Sequence, residues 1–407
     1  MRRRIGFEPA LRSTRERVPR LGDERVALAG LCGRVLAEDL TARVDAPDQD
    51  VSLKDGYAVV SADVAAARPD AEVRLEIVGE VNAGGTCRQA VESGQAVRIT
   101  TGAPIPAGAE AVLAEEYCRR EGDRLTCLND AQPGRNVLRR ATDLRRGQVL
   151  ARRGERLNPA LLGLLAAAGY GAVRVGRRPR LGLLATGDEI VAPGRPLTAG
   201  RLYASNLVEM QAWLGDLGTS IRTAVCGDDR PAVRAALESL AADSDVVLTS
   251  GGAWTSERDL LLDALDDLGW EGIYHRVRLG PGKGIAFGLL DGRAVFCLPG
   301  GPPSNEMALL QLAMPGLLSM QGFDGPVFRE RRVRLTEPVS GQSDWTQFLH
   351  GRLVAERPEP LVEPLRLASR LQSMARKQVL IPIPEGRGGW RDDEWVWVQQ
   401  LAAPAWR

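Results

Sequence analysis

Three short apolar runs between residues 178 and 326 each lead into a glycine-containing loop and then into a segment of helical period. They are Leu181-Gly-Leu-Leu-Ala-Thr186, Asp245-Val-Val-Leu-Thr-Ser250 and Ala294-Val-Phe-Cys-Leu298. Runs this short and this apolar suit strands covered on both faces, and their alternation with helices implies a parallel sheet. Ser205 and Asn206 are placed to cap a helix that carries Leu207, Met210, Leu214 and Leu217 on one face. Further helices are expected from Pro231, from Arg258 to Leu268 with a stop at Gly269, and from Ser304. Ligands of such a sheet bind beyond the carboxyl ends of its strands, so the loops there are where chemistry is expected.

Those loops share one character. Thr186-Gly187-Asp188-Glu189 follows the first run. Ser250-Gly251-Gly252 follows the second, with Glu257 and Asp259 just beyond, and Pro299-Gly300-Gly301-Pro-Pro-Ser304 follows the third. Glycine lets backbone N–H groups approach an anion, and a following helix adds its positive end. Neighbouring carboxylates suit a divalent cation bridging to phosphate oxygens. Each loop also reads as a plain strand-to-helix turn, and Ser256 with Asp259 as a capping box. Asp228 and Asp229, just before the Pro231 helix, read equally as caps or as ligand contacts. Lys283, one of three lysines in the chain, lies in Gly280-Pro-Gly-Lys-Gly284, a loop open enough for an ammonium to reach a phosphate. There is no Gly-x-x-x-x-Gly-Lys-Ser/Thr and no Gly-x-Gly-x-x-Gly after the first run, which argues against a P-loop ATPase and a dinucleotide oxidoreductase.

The rest of the chain divides around this unit. Residues 1–50 and 140–177 are expected to form an elongated, helical linker domain, with one helix over Gly22–Glu38 and another opened by Asn158-Pro159. Residues 51–139 alternate in the manner of strands, as in Val73–Val78 and Ala96–Thr100, and read as an inserted β-rich domain. Residues 178–326 form the α/β domain. Residues 327–407 return to alternation in four stretches and are expected to make a compact β-barrel or small sandwich. The fold class is therefore α/β and multidomain.

Bulk properties narrow the partners. With 53 Lys+Arg against 52 Asp+Glu, the near-neutral 407-residue chain is no bulk nucleic-acid binder. No run approaches the ~18 apolar residues of a membrane span, and no secretory core follows the basic N-terminus. Six scattered cysteines with no Cys-x-x-Cys pair read as reduced thiols, which points to the cytoplasm. Only His275 and His350 occur, too few for a histidine metal cage.

Taken in order, several stretches resemble the molybdopterin molybdenumtransferase family, the MoeA type related to the C-terminal domain of gephyrin. They are Gly33-Arg-Val-Leu-Ala-Glu-Asp39, Ser52-Leu-Lys-Asp-Gly-Tyr-Ala58, Val97-Arg-Ile-Thr-Thr-Gly-Ala-Pro-Ile-Pro106, Gly108-Ala-Glu-Ala-Val112, Pro133-Gly-Arg-Asn-Val137 with Asp143, and the three glycine loops above. The resemblance implies insertion of molybdate into adenylated molybdopterin with release of AMP, assisted by Mg2+ or another divalent cation. It implies catalytic roles for Asp55, Asp143, Glu189, Asp259 and Lys283, with Glu189 and Asp259 holding the metal. Substrate contacts would come from Thr101, Gly187, Asp188, Ser205, Asp228, Asp229, Gly251, Gly252, Arg276, Pro299, Gly300, Gly301 and Ser304. It also implies a homodimer with the site in the inter-subunit cleft, served by the molybdopterin adenylyltransferase and molybdoenzyme chaperones.

The chain departs from the family pattern in places. Lys54 stands where Met is usual, Trp254 lies in an altered Gly-Gly loop, Gly280 replaces a lysine, Gly301 an asparagine and His350 an arginine. These changes gather in the ligand-binding loops. They set an ordinary transferase against a divergent paralogue for a related pterin, nucleotide or tungstate, and against a non-catalytic binding scaffold.

Overall fold

The computed structural model describes residues 1–86, 88–215, 217–252, 260–355 and 359–401. Contacts divide the chain into two compact units, one of residues 1–24, 35–37 and 174–407 and one of residues 25–34 and 38–173.

In the first unit the three apolar runs are neighbouring parallel strands, and Ser220–Cys226 adds a fourth outside Arg180–Thr186. Residues Leu181–Thr186 and Val246–Ser250 are buried throughout, as strands covered on both faces must be. One face carries Leu207, Met210 and Leu214 of the Ser205–Leu214 helix together with the buried segment Leu309–Met320. The other carries Val233, Leu237 and Leu240 of the Arg230–Asp243 helix with Leu261 and Leu265 of Leu260–Asp267. Past Arg293–Leu298 the sheet is not parallel. Ala286–Leu290 and Glu271–Gly280 continue it antiparallel, joined by short turns that need no crossover helix.

The C-terminal strands close on themselves. Thr346–Ala355, Leu361–Pro364, Arg329–Leu335, Trp395–Gln400 and Val379–Ile383 pair in that order, and the last pairs back with the first. Val333, Leu335, Val362, Ile381, Val396 and Val398 fill the interior, so the expected barrel-like sheet is present.

The second unit holds a six-stranded sheet ordered Ala111–Ala114, Gly56–Val59, Gln95–Ile99, Val73–Val81, Arg124–Cys127 and Cys118–Glu121. Its helix, Pro159–Ala167, begins where Asn158 accepts a hydrogen bond from Leu161 N and ends before Gly169 at φ +92°. The helix expected over Gly22–Glu38 does not form. Asp23–Ala27 is a strand, and Gly30 and Gly33 sit at φ +85° and +82°, a conformation no helix interior accepts. The apolar residues that suggested helical spacing, Leu31, Val35 and Leu36, are buried outside any helix, and Leu36 makes an antiparallel bridge with Val175. No helix among the described residues is long and apolar enough to cross a membrane.

Candidate functional site

The three glycine loops meet at the carboxyl edge of the parallel strands. There they bound a cavity of about 890 Å³ lined by Thr186, Gly187, Glu189, Ser205, Asn206, Asp228, Ser250, Gly251, Gly252, Pro299, Gly300 and Gly301. That volume suits a ligand of cofactor size. Gly251 shows why a side chain is excluded here. Its φ is +101°, and a Cβ would lie 2.7 Å from the carbonyl oxygen of Thr186.

Two asparagines hold the loops in register. Asn206 Nδ2 donates to Ser250 Oγ at 2.9 Å and to the Gly300 carbonyl at 2.8 Å. Asn305 Nδ2 donates to the same Ser250 Oγ at 3.1 Å and to the Pro299 carbonyl at 2.9 Å. Asn206, Ser250 and Asn305 are all buried, so the two bonds to Ser250 Oγ form away from competing water, while those to the carbonyls are part-buried. Asn206 Oδ1 and Thr186 Oγ1 are buried with no partner among the described residues, which leaves polar capacity at the cavity wall for a ligand.

Ser205 and Asn206 are not caps. The N-cap residue is Ala204, and Asn206 lies inside the first turn because its amide is committed to the neighbouring loops. Asp188 braces rather than lines, since its Oδ1 accepts from Asp228 N at 3.0 Å. Asp229 is the N-cap of the Arg230 helix and accepts from Ala232 N at 3.0 Å, so capping describes it, while Asp228 lies on the cavity wall. Ser304 is in the first turn of the Pro302–Ala308 helix, where its N–H donates to the Gly301 carbonyl at 3.0 Å. Glu257, Asp259 and Trp254 lie outside the described residues.

Arg276 and Lys283 line a second cavity of about 370 Å³, together with Arg4, Arg278, Asp344 and Trp345. Arg276 is held at φ +63°, an uncommon conformation for a long side chain that marks a constrained position. Gly284, next to Lys283, belongs to the wall of the large cavity. His350 Nδ1 lies 2.9 Å from Ser373 Oγ, and burial, then the Lys377 ammonium, hold its pKa below the usual histidine range.

In the second unit Asp55 and Thr101 come together. Asp55 Oδ1 accepts from Thr101 N at 2.6 Å and from Thr101 Oγ1 at 2.8 Å, and these bonds lower the carboxyl pKa. Asp143 is exposed, with its N–H donating to the Ala46 carbonyl at 2.9 Å.

Two contributions escaped the reading of the sequence. Arg370, from a C-terminal helix, lines the large cavity. Asn305 and Glu306 are buried polar residues just ahead of the apolar run Met307–Leu310, and that contrast was the available signal.

Comparison with known proteins agrees with this architecture. Residues 5–169 match the MoeA N-terminal region (domain I and II), and residues 182–319 match the family described as "Probable molybdopterin binding domain". A Synechococcus elongatus protein named molybdopterin molybdenumtransferase is 32% identical over 375 residues, covering 90% of this chain and 92% of its own. Molybdopterin molybdenumtransferase 2 of Mycobacterium tuberculosis is 30% identical over 366 residues, covering 88% and 90%. Two crystal structures of molybdopterin biosynthesis MoeA protein from Pyrococcus horikoshii match with TM-scores of 0.80 and 0.81 at 31% and 26% identity, covering 98% of this chain and 100% of theirs. Fold and relatives together define an enzyme of molybdenum cofactor biosynthesis. The chain belongs to the MoeA family of molybdopterin molybdenumtransferases, and it is a transferase.

Proposed function

We propose that the large cavity receives adenylated molybdopterin and that molybdate is placed on its dithiolene as the phosphoanhydride is cleaved and AMP leaves. The observation that carries this reading is the junction of three glycine loops at one sheet edge, two of them (Ser250–Gly252 and Pro299–Gly301) tied together by Asn206. Glu189 and Asp228 present carboxylates to the cavity, and the unpartnered Thr186 hydroxyl adds a hard oxygen. This donor set fits Mg2+, which favours one or two carboxylates completed by phosphate oxygens. In this reading Glu189 and Asp259 are the two metal carboxylates, and Asp228 contacts the substrate. The cation, when bound, neutralises charge developing on the phosphoanhydride. Lys283 and Arg276 supply positive charge to the same reaction from the protein side.

Asp55, Thr101 and Asp143 act in this reading from the second subunit of a homodimer, which works in the cytoplasm and hands its product to molybdoenzyme chaperones. Thr101 fixes the orientation of the Asp55 carboxylate and keeps it ionised. The four-part division into linker, inserted, α/β and barrel domains belongs to the same proposal.

The test is direct. Purified protein incubated with adenylated molybdopterin, molybdate and Mg2+ should release AMP, followed by chromatography, and mass spectrometry should find the adenylated pterin retained when molybdate is withheld. No AMP and no retained pterin would overturn the reading.

A further inference from the structure

The helices that begin at Ser205, Pro302 and Arg370 all present their first residues to the large cavity. One turn or more further along, the same three segments meet again through ionisable side chains. Lys377, which caps the Arg370–Arg376 helix, donates from Nζ to Glu306 Oε1 at 2.5 Å and to the Met374 carbonyl at 2.8 Å. The two side chains are only 5% and 1% exposed, so this ion pair is cut off from water. The second oxygen of Glu306, Oε2, is buried with no donor among the described residues. Glu209 of the Ser205 helix, itself partly buried, lies within hydrogen-bonding reach of the Glu306 side chain and of the Trp213 indole.

Two carboxylates and one ammonium cannot all be charged in so dry a place without a net negative charge. A single proton on Glu209 removes the conflict. The group then donates to Glu306 Oε2, and the cluster becomes neutral. Burial, then the Glu306 carboxylate, push the Glu209 pKa up to about 8, while the Lys377 ammonium and the Trp213 indole pull it down. His350, on strand Thr346–Ala355, is the other titratable group facing Lys377 and Glu306, and it is held neutral by burial.

We propose that Glu209, Glu306 and Lys377 form a positioning cluster, working with one shared proton, that holds the Arg370 helix against the cavity so that the Arg370 guanidinium takes a phosphate group of the ligand. Arg370 is exposed and makes no ion pair among the described residues, so its charge is available to the cavity it lines. Loss of the Glu209 proton sets its carboxylate against Glu306 across the contact of the Ser205 and Pro302 helices and displaces Glu306 together with the Lys377 ammonium paired to it. The Arg370 helix then shifts, and the phosphate loses a charge-assisted, bidentate-capable partner. The inference deepens the transferase reading and rests on it for the identity of the ligand.

The test measures KM and kcat for adenylated molybdopterin between pH 7 and 9, together with calorimetric affinity for AMP alone, a dianion over nearly all of that range. A required proton on a group titrating near 8 weakens binding about tenfold across the interval. KM and the AMP dissociation constant of the wild type should both rise by that factor, with kcat nearly constant. Glu209→Gln keeps a donor to Glu306 and has no proton to lose, so both profiles should be flat. Arg370→Gln should bind at pH 7 as weakly as the wild type does at pH 9, and should also be flat. A Glu209→Gln profile parallel to the wild type, or an Arg370→Gln variant with wild-type affinity, would overturn the cluster. Turnover without any such pH dependence removes the cluster and leaves the transferase standing. No turnover, with the AMP profiles as expected, removes the transferase and leaves the cluster.

Discussion

Asn206 donates to Ser250 Oγ across a distance of 2.9 Å and so fastens the first turn of a helix to the end of the central strand. The same amide reaches the Gly300 carbonyl, so one side chain ties two phosphate-type loops together. Asn206→Ala should therefore remove the side-chain donor to the Gly300 carbonyl and one of the two donors to Ser250 Oγ, and losing these two hydrogen bonds should cost about 1–3 kcal/mol in urea unfolding. Ser250→Ala should cost less, because Asn206 and Asn305 each keep a backbone carbonyl partner. Equal costs for the two variants would show that the shared hydroxyl, rather than the asparagine, organises the loops.

Glu189 is exposed at the cavity, and its substitution should be felt in chemistry before stability. Glu189→Gln is expected to abolish AMP release while the thermal midpoint stays within a few degrees. Asp259→Asn should behave in the same way. An asparagine caps a helix about as well as an aspartate, so survival of activity in that variant would assign Asp259 to capping alone.

Asp245 anchors the start of the central strand. Its carboxylate accepts from Arg177 Nη1 at 3.0 Å, Arg177 Nη2 at 3.1 Å and Arg180 N at 2.8 Å. Burial alone would raise its pKa, but the hydrogen bonds from Arg177 and Arg180 outweigh it and hold the carboxyl well below the usual range. A depressed folded pKa contributes stability above the unfolded value near 4 and loses it as pH falls through the folded one. Both arginines are partly solvated, so Asp245→Asn should cost only about 1–2 kcal/mol at pH 7. The gap between variant and wild type should shrink as the pH is lowered below 4, read from urea midpoints across that range.

The α/β loops were legible because glycine and strand periodicity are local signals. The strand Arg180–Thr186 and the Asn158 cap follow directly from a few neighbouring residues. Glu271–Gly280 was not legible, since beyond its neighbour Ala286–Leu290 it draws its partners from Arg2–Gly6 and the barrel strand Thr346–Ala355, both set by distant chain. The same limit hid Arg370 and the Glu209–Glu306–Lys377 cluster, where three ordinary surface-type residues acquire meaning only by meeting in space. Gly22–Glu38 misled in the opposite way. Its apolar spacing satisfied a helix, while two left-handed glycines decided the backbone.

The reaction proposed above calls on a homodimer. The sheet bearing Asp55 and Thr101 and the sheet bearing the glycine loops belong to different compact units, and the proposed reaction draws on both. Light scattering at micromolar concentration should give twice the 43.9 kDa chain mass. A monomer that still releases AMP would sink the shared site.

The glycines at 280 and 301 test whether the altered loops matter. Gly301 lines the cavity, and a Cβ there would meet nothing within 4 Å, so Gly301→Asn can be accepted without strain and would add two donors. Gly280→Lys is tighter, with its Cβ 3.2 Å from Gln347 Cγ, but the glutamine is a flexible side chain able to give way. A charge-assisted hydrogen bond recovered at either position is worth roughly 1.5–3 kcal/mol, or about 10- to 100-fold in affinity. Gly280→Lys should therefore tighten binding of adenylated molybdopterin about tenfold by calorimetry, and Gly301→Asn, which adds no charge, by less. His350 is a different case, because the half-buried imidazole already sits near the Lys377 ammonium, and an arginine there would add a second cation beside it. If Gly280→Lys and Gly301→Asn both bind as the wild type does, neither loop passes the ligand's anion, and the divergent-paralogue reading loses its physical basis.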